Sequence, residues 1–182
     1  MNTVRIIGGE WRRRLLRFPD LDGLRPTPDR VRETLFNWLG QNLHGWSCLD
    51  LFAGSGALGF EAASRGAAQV LLVERSPKVA AALADNVRLL DAAGRMRIVR
   101  ADAVRFVRSA TERFDLLFLD PPFAQGWFDQ LADSVANVVK DDGLIYAEAE
   151  RVLEGCGNWR TVRHGRAGQV CYHLMRRDTD AS

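Results

Sequence analysis

"LDLFAGSGALGFEA", Leu49 to Ala62, runs from an apolar stretch through three glycines into a segment of helix-forming residues. Gly54, Gly56 and Gly59 stand in the GxGxxG spacing, directly after a strand-like run and at the opening of a helix. Glycine permits the tight turn and lets a ligand approach the backbone where a side chain would obstruct it. Twenty residues after Gly54 comes Glu74, at the end of "QVLLVE", where a carboxylate can accept both hydroxyls of a ribose. Strand, glycine turn, helix, second strand and acid together read as a nucleoside-binding βαβ unit.

Downstream the same alternation continues. "MRIVRA", "FDLLFLD" and "GLIYAEAE" are strand-like, and 57–65, 77–90, 102–109 and 127–139 are predicted helices between the strands. Ser76 and Pro77 start the second of these, whose Val79, Leu83, Val87 and Leu90 share a face. Near-continuous apolar strands joined by crossover helices indicate a parallel sheet covered on both sides. The closing "NWRTVRHGRAGQVCYHLMRR" reads as two antiparallel strands around Gly165 to Gly168. The fold class expected is an open, doubly wound α/β sheet.

Upstream, "VRIIGGEWRRRLLRF" reads as a hairpin around Gly8-Gly9 with an Arg-rich second strand. "DLDGLRPTP" is turn chemistry, which places a boundary between a 1–24 arm and a 25–182 body. Thr27 is expected to cap a helix with Pro28 at its first position and Asp29 in its first turn; Val31, Leu35, Trp38 and Leu39 fall on one face. Gly40 ends it.

The 182 residues, 47% hydrophobic, suffice for one substantial core. No run of about 18 apolar residues occurs, and "MNTVRIIGGEWRRR" lacks a signal peptide's apolar region, so a soluble, cytoplasmic protein is expected. Cys48, Cys156 and Cys171 form no CxxC pair, and His44, His164 and His173 have no metal-ligand spacing; reduced thiols and no metal are expected. The absence of a sustained apolar heptad points to a monomer. The net charge of +2 divides as +4 over residues 1–32, −5 over 33–158 and +3 over 159–182. Basic ends around an acidic middle suit nucleic-acid binding and equally suit a solvated surface.

Asp50 stands four residues before Gly54. A carboxylate aimed into the glycine loop would repel a pyrophosphate and would suit a cationic ligand such as S-adenosylmethionine. Asp102, after "MRIVR", could accept the amino group of an adenine ring, although a helix N-cap serves equally well. Asp120 ends a fourth strand, where open α/β sheets collect their ligands. Pro121 holds it in an extended conformation, and Pro121 and Pro122 together remove two N–H donors. A carboxylate and carbonyls in a rigid array suit a donor with two hydrogens, an exocyclic amino group on a base. Phe123 could stack on that base, and Trp127 or Phe128 could complete the slot.

"DPPF", Asp120 to Phe123, is similar to the catalytic motif of amino-group methyltransferases that use S-adenosylmethionine. With "VRIIGGEWRRR", "LRPTPDRVRETLFNWL", "DLFAGSGALGFEAASRGA", "VLLVERS" and "LLFLDPPF", nearly the whole chain resembles the bacterial 16S ribosomal RNA guanine-N2 methyltransferase family, RsmD. The resemblance implies a Rossmann-like class I methyltransferase fold, a seven-stranded sheet with its last strand antiparallel, plus the small N-terminal hairpin arm. It implies methylation of one guanine of 16S rRNA in the small ribosomal subunit, on an assembled particle more readily than on bare RNA. By motif match, Asp50, Phe52, Ala53, Gly54, Ser55, Gly56, Gly59, Glu74 and Arg75 would bind the cofactor. Asp102 and Ala103 would hold its adenine, and Asp120, Pro121, Pro122 and Phe123 the target amino group. Arg5, Trp11, Arg12, Arg13 and Arg14 of the arm, with Arg25, Thr27 and Arg30 beyond it, would meet RNA through backbone contacts and stacking. The one departure is Phe60, where a smaller aliphatic residue is expected.

Three other functions fit parts of the pattern. A DNA adenine-N6 methyltransferase uses the same acid-proline-proline-aromatic device, but this chain has little room for a separate target-recognition region. A non-catalytic RNA-binding relative would not need Asp50, Glu74 and Asp120 together. A nicotinamide dehydrogenase would need a His or Lys proton donor at a strand end, and none is evident.

Overall fold

The polypeptide, described for residues 1–180 by a computed structural model, begins with β1 (Asn2–Arg5) paired antiparallel to β2 (Leu15–Phe18). Helix α1 (Asp29–Leu39) follows, ended by Gly40 in the left-handed conformation at φ 91°. The body then alternates β3 (Ser47–Asp50), α2 (Ala57–Ser64), β4 (Gln69–Glu74), α3 (Pro77–Leu89), β5 (Met96–Arg100), α4 (Ala103–Ser109) and β6 (Phe114–Leu119). After α5 (Trp127–Leu131) and a 3-10 turn at Val135–Asn137 come β7 (Val139–Ala149), β8 (Gly155–Cys156), β9 (Trp159–Ala167) and β10 (Val170–Arg177). The large sheet has the order β5-β4-β3-β6-β7-β10-β9-β8, parallel from β5 to β7, with β10 antiparallel to both neighbours.

The doubly wound α/β class is therefore present, with the last strand, β10, antiparallel as expected. The seven expected strands are joined by an eighth, the two-residue β8, which pairs Cys156 with Trp159 at the sheet edge. The helix expected over 127–139 stops after Leu131. The chain there must return to the sheet: Val138 is buried and accepts from the Phe114 N–H at 2.8 Å, and Val139 already pairs with Phe114.

Strand alternation sorts the core. Cys48, Val70, Leu72, Leu116, Phe118 and Tyr146 face one side, under the arm and α1, α2 and α3. Leu49, Leu71, Val73, Leu117, Ile145 and Ala147 face the other, under α4 and α5. Asp50, Glu74, Asp120 and Glu148 continue the first series, so four carboxylates reach the carboxyl ends of four adjacent strands on one face.

The arm is bolted to that face. Val4, Ile6, Leu16 and Phe18 share the apolar cluster of the helices beneath them. Asn86 of α3 donates to the Arg17 carbonyl and accepts from its N–H, taking the place of a third strand. The loop between β1 and β2 lies along α2, where Glu61 accepts from the N–H groups of Ile7 and Gly8, each at 2.9 Å. At Gly9, φ 78°, a Cβ would lie 2.0 Å from the Ser64 carbonyl oxygen, so this glycine serves close approach to α2.

Candidate active site

Asp50 emerges from β3 at 1% exposure, and its Oδ2 accepts from the Gly59 N–H at 3.1 Å. A Cβ at Gly59 would sit 2.4 Å from Leu72 and 3.2 Å from that carboxylate, so the third glycine brings α2 down onto the sheet. Gly56 starts α2 at φ 82°, and a Cβ there would strike Phe60 at 2.7 Å. Phe60, fully buried, is thus accommodated by the glycine beside it. Glu74 Oε2 accepts from the Gly54 N–H at 3.0 Å and Oε1 from the Ser76 N–H at 2.9 Å, which orients both oxygens at the cavity wall.

These groups open on a cavity of about 740 Å³. Phe52, Ala53, Gly54, Ser55, Glu74, Arg75, Asp102 and Ala103 line it, as do Asp120, Pro121, Pro122 and Phe123. Gly56 and Gly59 shape the turn from behind. Asp102 caps α4 through one oxygen, accepting from the Arg105 N–H at 3.0 Å, while the described structure assigns its other oxygen no hydrogen bond. Both roles read from the sequence are thereby compatible.

Asp120 is half-buried one residue beyond the β6–β7 pairing of Leu119 with Ala147, which sets it beside Glu148. Phe123 is 44% exposed at the rim. The loop that follows is tied back to the end of β7 by the Ala124 N–H, which donates to Glu150 Oε1 at 2.6 Å. Trp127 packs edge-on to Phe52 at 5.1 Å and lines this cavity; Phe128 lines a smaller one of about 220 Å³ that shares Pro121, Pro122 and Phe123 with it.

The electrostatics are one-sided. Among the described residues Asp50, Glu74, Asp120 and Glu148 take part in no ion pair. Burial pushes the Asp50 carboxyl up to about 7 against the Gly59 hydrogen bond, and Glu74 and Glu148 push it further. Burial, then Glu148, drives Asp120 well above the usual carboxylate range. Asp50 Oδ1 and Trp127 Nε1 are the buried side-chain polar atoms without a partner among the described residues, and both residues line this cavity. An orphaned carboxylate oxygen in an acid-rimmed cavity fits a ligand that carries a positively charged donor. No group of three or more potential metal ligands occurs among the described residues.

Two expectations are corrected. Trp11 is 5% exposed and lies under the Arg95 guanidinium, 4.5 Å from its ring; it packs the arm to the body and has no open face for a base. Thr27 makes no cap hydrogen bond for α1, whose N-cap is Pro28. Its hydroxyl donates instead to Glu148 Oε1 at 2.7 Å, inside the cavity. Of the other basic residues, Arg25 lines the cavity, whereas Arg5, Arg12, Arg13, Arg14 and Arg30 are exposed outside it.

Glu148 is a site residue that sequence patterns did not single out, and of the 21–28 segment they singled out only Arg25 and Thr27, as RNA contacts and not as cavity wall. Glu148 ends an apolar run as Asp50, Glu74 and Asp120 do, and that recurrence was a usable signal. "LDGLRPTP" looks like a linker because its backbone is irregular, yet it walls the cavity, with Leu24 3.0 Å from where a Gly54 Cβ would lie.

The family model described as conserved hypothetical protein 95 matches residues 4–176. Ribosomal RNA small subunit methyltransferase D of Escherichia coli K12 is 45% identical over 185 aligned positions, covering 96% of this chain and 90% of that one. The protein of the same name from Haemophilus influenzae is 40% identical, covering 94% and 92%. The solved structure of a putative methyltransferase, yhhF, from Escherichia coli superposes with a TM-score of 0.85 at 44% identity, covering 97% and 99%.

Proposed function

The chain belongs to the RsmD family of small-subunit ribosomal RNA methyltransferases, and from that premise we propose that it methylates the exocyclic N2 of one guanine in 16S rRNA, with S-adenosylmethionine as donor. The observation that carries the reading is the shared cavity: the DPPF carboxylate and the orphaned oxygen of Asp50 open on the same space as the glycine loop. S-adenosylmethionine supplies an electrophilic methyl group on a sulfonium, with a neutral thioether as leaving group. Asp50 accepts the cofactor's amino group, Glu74 its ribose hydroxyls, and Asp102 its adenine amino group through the remaining oxygen.

Asp120 and the Pro121 carbonyl accept the two hydrogens of the guanine amino group. That nitrogen is a weak nucleophile because its lone pair is delocalised into the ring. Acceptors on both hydrogens favour a pyramidal nitrogen and strengthen as positive charge develops, so they act on the transition state more than on the bound base. Holding nucleophile and methyl in line removes the entropic cost of their encounter. Phe123, exposed at the rim, stacks on the base, and the arm's exposed arginines contact the RNA backbone.

Small ribosomal subunits from cells lacking this methyltransferase, incubated with protein and S-adenosylmethionine and digested to nucleosides, should yield N2-methylguanosine. N6-methyladenosine in its place would overturn the assignment.

A further inference from the structure

Glu148 has no part in the contacts assigned above, yet it is 5% exposed at the end of β7, inside the cavity. Its Oε1 accepts two hydroxyl hydrogen bonds, from Thr27 at 2.7 Å and from Tyr146 at 2.7 Å. These hold the carboxyl plane, and Oε2 has no hydrogen-bond donor among the described residues. Leu119 pairs with Ala147, so Asp120 and Glu148 leave adjacent parallel strands on the same face, with their carboxyl groups within hydrogen-bonding reach. Two ionised carboxylates are both acceptors only; a hydrogen bond between them requires a proton. The groups facing Glu148 are Asp120, Asp50, the Tyr146 hydroxyl and the Thr27 hydroxyl, and none is a cation. A shared proton is what relieves this contact.

Resting on the assignment of Asp120 to the target amino group, we propose that Glu148 is a positioning residue that takes up the proton shared with Asp120 during methyl transfer. One Asp120 oxygen is then held by a donated hydrogen bond, and the other faces the amino nitrogen with a full negative charge.

Before methyl transfer the Asp120–Glu148 pair holds one proton between its two carboxyl groups. As the nitrogen–carbon bond forms and the carbon–sulfur bond breaks, its electron pair stays on sulfur and the nitrogen becomes positive. Movement of the shared proton to Glu148 Oε2 creates the Asp120 carboxylate where that charge appears. The nitrogen then gives its surplus proton to Asp120, and one proton leaves the pair for solvent with product release. The pair returns to a single proton.

Glu148→Gln mimics the protonated form: its amide oxygen can accept from Thr27 and Tyr146, and its NH₂ can donate to Asp120. Glu148→Ala removes both functions. In single turnovers on small subunits, E148Q should stay within about tenfold of the natural protein while E148A falls about 10²–10³-fold, the loss expected for a preorganised donor at a reacting charge. Calorimetry with S-adenosylmethionine should give unchanged affinity for both. E148Q as slow as E148A would mean that an ionised Glu148 is required, and E148A as fast as E148Q that it does nothing; either overturns the proposal. Independently of activity, ¹³C NMR of carboxyl-labelled protein should show an Asp and a Glu signal with two-step titrations, the Glu signal reduced to one step by Asp120→Asn and the Asp signal by Glu148→Gln. Single-step titration of both signals in the natural protein would refute the shared proton, even if no N2-methylguanosine is ever formed.

Discussion

Two sets of buried acids lie on the same side of the sheet and are treated in opposite ways. Glu61, fully buried under the arm, has four donors on its two oxygens: the N–H groups of Ile7 and Gly8 and the side chains of Arg32 and Arg65. Arg32, itself 1% exposed, also donates to the carbonyls of Arg5 and Thr27 and pairs with Asp29. Every charge there is matched from within the chain. At the cavity, Asp50, Asp120 and Glu148 face one another without a cation, and Asp50 keeps an orphaned oxygen. Matched acids hold a joint closed; unmatched acids leave a place for a cationic ligand.

The largest effect should come from unmatching the joint. Arg32→Met leaves Glu61 buried with one cation fewer, which should cost about 3–5 kcal/mol, the range for a broken buried pair. For a chain of this size that is a fall in Tm of roughly 6–20 °C. A Tm within two degrees or so of the natural protein's would remove the distinction between the two clusters. Next, Asp120→Ala should lower turnover by about 10²–10³-fold while leaving cofactor affinity nearly unchanged. Equal loss of both would place Asp120 in binding and not in chemistry.

Asp50→Asn should act with opposite signs on two readouts. The folded carboxyl is raised to about 7, above its unfolded value near 4. The neutral form's contribution to stability is therefore complete below that lower value and is lost as pH rises through about 7. The variant should lose this slope in pH-dependent melting and be the more stable protein at pH 8. It should also bind S-adenosylmethionine more weakly by about 1.5–3 kcal/mol, the worth of a charged hydrogen bond. Undiminished affinity would show that the orphaned oxygen does not meet the cofactor. The smallest effect belongs to the exposed arm. Replacing Arg12, Arg13 and Arg14 by Gln should flatten the salt dependence of RNA binding by about 0.7 log units per lost phosphate contact. An unchanged slope would make these residues a solvated edge.

The strand-end acids of the cavity were legible in the chain itself. Near-continuous apolar runs, each followed by an acid or a glycine turn, placed Asp50, Glu74 and Asp120 at strand ends. Thr27 was misread because a threonine before Pro-Asp satisfies local capping rules, whereas its partner Glu148 lies 121 positions away. Trp11 was misread because a tryptophan among arginines looks like a surface residue. Its burial depends on Arg95, which comes from a different part of the chain.

Local spacing thus determined which residues end strands, where the chain must turn tightly, and that an acceptor array precedes two prolines, because those properties depend on neighbours in sequence. Only the tertiary structure decided which acids are matched and which are left open. Matching depends on side chains delivered from distant elements: Arg32 to Glu61 across the arm, and Glu148, with no cation, to Asp120 across two parallel strands.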